Sequence, residues 1–137
     1  MASWVNEFGG GISAHLLYFA LSIALISVFI VLYTAITPYR EIALIRAGNQ
    51  AAAVSLGGAV LGFALPLAQA VAQSGDIDDM LTWSAVALAA QLAAYGVTRL
   101  LLPQLPLDVK EGKLAPAIFL AALSIAIGVL NAAAMTE

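Results

Sequence analysis

The sequence contains no cysteine, which excludes disulfides, thiolate catalysis and cysteine-ligated metals together. It holds a single histidine, His15, and one imidazole without nearby carboxylates does not make a metal site. Charge is scarce as well. Charged residues make up 9% of the 137 and hydrophobic residues 63%, whereas soluble domains carry about 25% charged residues, so water is not the solvent this chain is built for. Residues 1–11 carry no lysine or arginine. A secretory signal needs a basic n-region, so the first apolar segment is expected to remain in the mature protein.

What is present is a regular alternation. No charged residue lies between Glu7 and Arg40, Arg46 and Asp76, Asp79 and Arg99, or Lys113 and Glu137, leaving uncharged stretches of 32, 29, 19 and 23 residues. About 20 apolar residues cross the ~30 Å hydrocarbon layer as a helix. Four transmembrane helices are therefore predicted, at roughly Ile12 to Thr37, Gln50 to Gln73, Leu81 to Leu102 and Leu114 to Met135. Pro38 closes the first and Pro103 with Pro106 the third, because proline disfavours helical geometry in the residue before it. Trp4 to Phe8 reads as an interfacial anchor ended by Gly9, Gly10 and Gly11.

All five basic residues, Arg40, Arg46, Arg99, Lys110 and Lys113, fall at or within two of the connections, and the positive-inside rule assigns those to the cytoplasm. The connection Gln73 to Met80 carries Asp76, Asp78 and Asp79 with no basic residue. It is placed outside together with both termini. Trp4 and Trp83 then fall near the outer interface and Tyr33, Tyr39 and Tyr95 near the inner one, as an aromatic belt would have it.

A shift of 64 positions pairs Arg46 with Lys110, Gly48 with Gly112, Ala51 with Ala115, Ala53 with Ala117, Leu56 with Leu120 and Thr34 with Thr98. This reads as an internal duplication over about residues 12–73 and 81–135. Each unit spans twice, so the copies enter the membrane in the same sense and are parallel repeats. The expected fold is an all-α integral membrane four-helix bundle built from two parallel two-helix repeats, in one membrane domain.

On the second helix Ser55, Gly58, Ala59, Gly62, Pro66, Gln69 and Gln73 share one stripe. Lipid supplies no hydrophobic drive between helices, so close approach through small residues does that work, and Gly58 to Gly62 has the GxxxG spacing. A second small stripe, Ala53, Gly57 and Ala64, predicts contact from the opposite side too. Pro66 frees the carbonyl of Gly62, which needs a partner in hydrocarbon. Gln91, on one face of the third helix with Ser84, Tyr95 and Thr98, is the candidate donor in that region, with another helix or a water as its alternative partner. His15, Tyr18 and Ser22 line up on the first helix, and Ala117, Ala121, Ser124, Gly128 and Asn131 on the fourth. His15, Gln69, Gln91 and Asn131 are the candidate intramembrane polar contacts, and Ser55, Gly58, Gly62, Pro66, Ala121 and Gly128 the candidate packing residues.

No ionisable group falls at mid-depth, where ion coupling or proton relay would place one. Glu7 precedes the first span, unlike the embedded carboxylate of four-helix drug exporters. Gly112 and Lys113 are followed by Leu114 rather than by the serine or threonine of a phosphate loop. Neither an enzyme nor a cofactor is expected. Glu41 and Arg46 read as a local solvated pair, and the basic connections as surfaces able to meet anionic headgroups.

The run Thr37 to Ala53, which holds Glu41, Arg46, Gly48 and Asn49, followed by Gly58, Gly62, Pro66 and Leu67, resembles the YjfL-like family of bacterial inner-membrane proteins. Glu111, Gly112 and Lys113 through Ala122, with Gly128 and Asn131, resembles the second copy of the same domain. The resemblance covers nearly the whole chain. It implies bacterial inner-membrane residence, a duplicated domain of unknown function and, through relatives encoded beside phage-shock-like peripheral membrane proteins, a role in envelope maintenance. The expectation is an oligomeric structural or accessory component of the envelope. Its partners would be the lipid bilayer, further copies of itself and a peripheral or membrane protein at the cytoplasmic connections, with no nucleic acid. The competing expectation is an oligomeric channel or transporter lined by the Ser55 to Gln73 stripe or by the polar face of the third helix.

Overall fold

The computed structural model describes residues 2–73 and 76–135, with side chains from residue 11 onward. Six helices follow in order: α1 Ala2–Ile36, α2 Glu41–Arg46, α3 Gln50–Gln73, α4 Ile77–Leu101, α5 Leu105–Lys110 and α6 Leu114–Ala134. Four segments are long and apolar enough to cross a membrane: Gly11–Ile36, Gln50–Gln73, Ile77–Leu101 and Leu114–Ala134. Large apolar side chains such as Val31, Leu100 and Leu130 stand out from the bundle, as lipid-facing residues do. Each span coincides with one of the charge-free stretches, except that the third extends past both ends of its stretch to take in Asp78, Asp79 and Arg99.

Three local features differ from the sequence reading. The helix backbone of α1 runs unbroken from Ala2, so Gly9, Gly10 and Gly11 do not end the Trp4 to Phe8 segment; the proposed anchoring of Trp4 falls on side chains outside the described residues. The acidic connection is largely the start of α4. Asp76 is its N-cap, accepting from the Asp79 amide at 2.8 Å, and Asp78 and Asp79 occupy the first turn, where negative charge meets the positive end of the helix dipole. The two basic connections are themselves helical, as α2 and α5.

Both short helices end in the same way. Gly48 and Gly112 have φ of +88° and +77°, the left-handed geometry that side chains disfavour. Behind Gly48, its own amide donates to Ile45 and that of Asn49 to Leu44; behind Gly112, its own amide donates to Val109 and that of Lys113 to Asp108. This is the paired bonding of the Schellman motif. It lets each short helix stop and a spanning helix begin two residues later.

The bundle is organised around α3 and α6. They run in the same direction in contact along their length, with Gly58 against Ala121 and Gly62 against Ser124 and Gly128. A β-carbon at Gly62 would fall on the Ser124 carbonyl, and one at Gly128 on the Gly62 carbonyl. α4 packs against both of these helices, whereas α1 packs on α3 with only a small contact to α4. Among the described residues, its buried side chains are Phe29 and Tyr33, at the end near α2. There Phe29 stacks on Phe63 of α3 with ring centroids 4.5 Å apart. Further from α2, Tyr18, Leu21, Leu25 and Ile26 are half-buried against the core. The short helices lie together at one end, joined where the Asn49 side-chain amide donates to the Val109 carbonyl at 2.8 Å.

Gly62→Ala is expected to destabilise the bundle by about 1–3 kcal/mol, the usual cost of overpacking. Gly57→Ala, whose added β-carbon meets nothing within 4 Å, is expected to be neutral or stabilising by up to about 1 kcal/mol. Thermal or denaturant unfolding in detergent measures both.

Candidate functional site

Two polar clusters are built into this frame. The first lies at mid-span, where α3, α4 and α6 meet. The Gln91 amide nitrogen donates to the Ser124 carbonyl at 3.0 Å, and a β-carbon at Gly62 would stand 2.6 Å from that nitrogen. Gln91 therefore sits beside Gly62, but its acceptor is on α6. The carbonyl freed by Pro66 instead lies against Gly128, on the spot that a β-carbon at that position would occupy. Gln91 and Ser124 are 1% and 0% exposed, so this junction is sealed from lipid.

The second cluster lies where α1, α2 and α4 converge. Thr37 and Glu41 are four residues apart around the bend at Pro38, and the Thr37 hydroxyl donates to Glu41 Oε1 at 2.6 Å. Glu41 is 1% exposed. Tyr33 meets Tyr95 edge-on, with centroids 5.8 Å apart, and Arg99 reaches the Tyr95 hydroxyl at a long 3.5 Å. The Tyr33 hydroxyl, Glu41 Oε2 and Arg99 Nε are buried without a hydrogen-bond partner among the described residues. Burial pushes the Glu41 carboxyl above its ordinary range, opposed by the Thr37 hydroxyl and by its own backbone amide. Tyr39 is pushed up by burial first, then by Tyr95, Tyr33 and Glu41. The chemistry available here is the holding of a proton by a buried carboxyl.

This cluster corrects two sequence expectations. Glu41 is turned inward against Thr37 and forms no pair with Arg46, which is exposed. Tyr33, Tyr39 and Tyr95 are core residues at 1%, 3% and 5% exposure, not an interfacial belt. The signal available in the sequence was Thr37, one helical turn before an acid that follows a proline.

The remaining candidates separate. Ser55 is buried and its hydroxyl donates to Ala52 of its own helix at 3.2 Å. Pro66, Ala121 and Gly128 are buried in the α3–α6 seam. His15 is exposed and stacks on Phe19, with centroids 6.1 Å apart, so it does not turn into the bundle with Tyr18 and Ser22. Gln69 is half-buried, and the Asn131 side-chain nitrogen is buried without a partner among the described residues. Ala53 and Gly57 are exposed, so within one chain the second small stripe of α3 is open. Asn49, from the motif Glu41, Arg46, Gly48 and Asn49, does two jobs: its oxygen accepts from the Ala52 amide at 2.9 Å, capping α3, while its nitrogen holds α5.

Two measurements follow from these clusters. Gln91→Leu removes the donor to Ser124 and is expected to cost about 0.6–1.7 kcal/mol, read by unfolding in detergent. Because folding raises the Glu41 carboxyl above the ordinary 4.5, the folded chain retains a proton that the unfolded chain has lost, and stability declines as pH rises from 4.5. Glu41→Gln is expected to flatten that slope and to raise the unfolding temperature at neutral pH.

Comparison with known proteins agrees with this architecture. Residues 6–135 match the family model described as Domain of Unknown Function (DUF350). The chain is 34% identical over 119 residues to the UPF0719 inner membrane protein YjfL of Escherichia coli K12, covering 87% of this chain and 90% of the relative. It is 24% identical over 91 residues to the UPF0719 transmembrane protein YshE of Bacillus subtilis, covering 66% and 68%. No solved structure matches. With four apolar spans and inner-membrane relatives along most of its length, the chain is a multi-pass inner-membrane protein belonging to the DUF350 family.

Proposed function

We propose that this protein is a small structural or accessory component of the bacterial inner membrane that works as a homo-oligomer. The observation that carries the reading is an unpartnered face of α4. Ala85, Ala89, Ala93 and Gly96 are all exposed on one stripe, and a β-carbon at Gly96 meets nothing within 4 Å. Small residues in lipid let another backbone approach, while Ser84, Gln91, Tyr95 and Thr98 of α4 are turned into the bundle instead. The open Ala53 and Gly57 on α3 offer a second such face.

The same arrangement weighs against conduction through a single chain. The Ser55 to Pro66 stripe is filled by α6, and Ser84, Gln91, Tyr95 and Thr98 of α4 are buried. Glu41 and the tyrosines around it are closed off in the same way, which supports a non-catalytic reading. We place the α2 and α5 end in the cytoplasm on the positive-inside rule, where the exposed Arg40, Arg46, Lys110 and Lys113 form a surface for a peripheral or membrane protein. Two units related by duplication fit the 64-residue offset, which carries α2 onto α5, the start of α3 onto that of α6 and Gly48 onto Gly112.

Subunit counting by native mass spectrometry or single-molecule photobleaching in bilayers tests the reading. The expected result is a defined oligomer that Gly96→Leu or Gly57→Leu dissociates while leaving helix content unchanged. A monomer at every protein-to-lipid ratio would contradict it, as would selective flux through liposomes abolished by Gly62→Leu.

A further inference from the structure

A groove of about 270 Å³ runs between the last turns of α1 and the short helix α2, lined by Thr34, Arg40, Glu41, Ile42, Ala43 and Arg46. It opens where a spanning helix ends, so it lies at headgroup depth whichever way the chain is oriented. Arg40 and Arg46 flank it, both exposed, and neither side chain makes an ion pair or hydrogen bond among the described residues. The groove's one acid, Glu41, is buried and bonded to Thr37. Burial favours its neutral form, which leaves two guanidinium groups without a competing anion. Ile42 in the groove and Val31, one turn before Thr34 on the same face of α1, are exposed apolar residues, a wall for an acyl chain descending from a headgroup.

The second connection also exposes apolar side chains, Leu101 and Leu107 among them, but differs in its charged positions. The positions 64 residues on from Arg40 and Arg46 are Gln104 and Lys110, and Leu105 stands where Glu41 would. Its other cation, Lys113, lies 3.6 Å from both Asp108 and Glu111. The first connection alone combines two free arginines with an apolar wall. Guanidinium groups suit phosphate because they are planar, always charged and multiply donating.

We infer that the groove between α1 and α2 binds the phosphate of an anionic phospholipid, with Arg40 and Arg46 as its donors and the flank of α1 along its acyl chain. The inference is independent of oligomerisation. It also distinguishes a site from the general attraction of basic loops to anionic membranes, to which every surface cation contributes about equally.

The test is lipid retention by native mass spectrometry from nanodiscs holding phosphatidylglycerol and phosphatidylcholine. Wild type is expected to retain phosphatidylglycerol selectively. R40Q/R46Q is expected to weaken that binding at least roughly 30-fold, from the loss of two charge-assisted contacts to one phosphate, and K110Q/K113Q, which removes equal charge from the other connection outside the groove, less than about 3-fold, the scale of screened surface charges. R40K/R46K keeps the charge and is expected to retain more affinity than R40Q/R46Q, separating lost recognition from lost folding. Equal weakening by both charge-removing pairs, or undiminished retention by R40Q/R46Q, would overturn the assignment. Inorganic phosphate binding as tightly as phosphatidylglycerol would overturn it in favour of a free-anion site.

Discussion

The fold depends on two backbones coming close enough to touch inside a membrane. Apolar side chains gain nothing by leaving lipid for each other, so association needs dense contact and satisfied polar groups. Gly58 and Gly62 of α3 supply the contact by leaving Ala121, Ser124 and Gly128 of α6 room to enter. Pro66 makes the arrangement more demanding, since it withholds the hydrogen bond that the Gly62 carbonyl would otherwise accept. The seam then serves two needs at once: it buries that oxygen against Gly128 and places the Ser124 carbonyl where Gln91 reaches it. α4 takes its position from that bond and from its packing on both helices.

Away from the seam, the molecule loosens in one direction. α1 is anchored at its α2 end by Phe29 and Tyr33, and the bend at Pro38 swings Glu41 beneath those rings. A buried acid among tyrosine hydroxyls is costly unless neutral or bonded, and the Thr37 hydroxyl meets part of that cost. From residue 11 to residue 28, α1 presents chiefly apolar side chains to lipid. The charged groups left at the surface lie at the ends of the spans, Arg40, Arg46, Lys110, Glu111 and Lys113 on and beside the short helices and Asp76, Asp78 and Asp79 at the start of α4.

Much of this was legible in the sequence, for a definite reason. Because a charge in hydrocarbon is expensive, the spacing of thirty-odd and twenty-odd uncharged residues around Arg40, Asp76, Arg99 and Lys113 maps directly onto the spans. Gly58, Gly62 and Gly128 were likewise readable as packing residues, since nothing else excuses so many glycines in helices. What escaped was local geometry. Six-residue helices such as α2 and α5 are too short to show a period, and Gly48 and Gly112, which end them, were visible only as turn residues. Asp76 looked like one more acid in a loop because a cap is defined by its backbone angles. Tyr33, Tyr39 and Tyr95 lie at a depth where composition alone does not separate a lipid-facing belt from a buried cluster, and the inward turn of Glu41 needed the bend at Pro38 to be seen.

The dependence of the whole on the α3–α6 seam is open to one direct measurement, a double-mutant cycle between Gly58→Ala and Ala121→Gly followed by unfolding in detergent. A β-carbon at Gly58 strikes the α- and β-carbons of Ala121, so removing the latter relieves part of the clash. The account predicts a coupling of at least about 0.5 kcal/mol, with the second substitution partly rescuing the first. Strictly additive effects would mean that the two residues do not meet, and would contradict it.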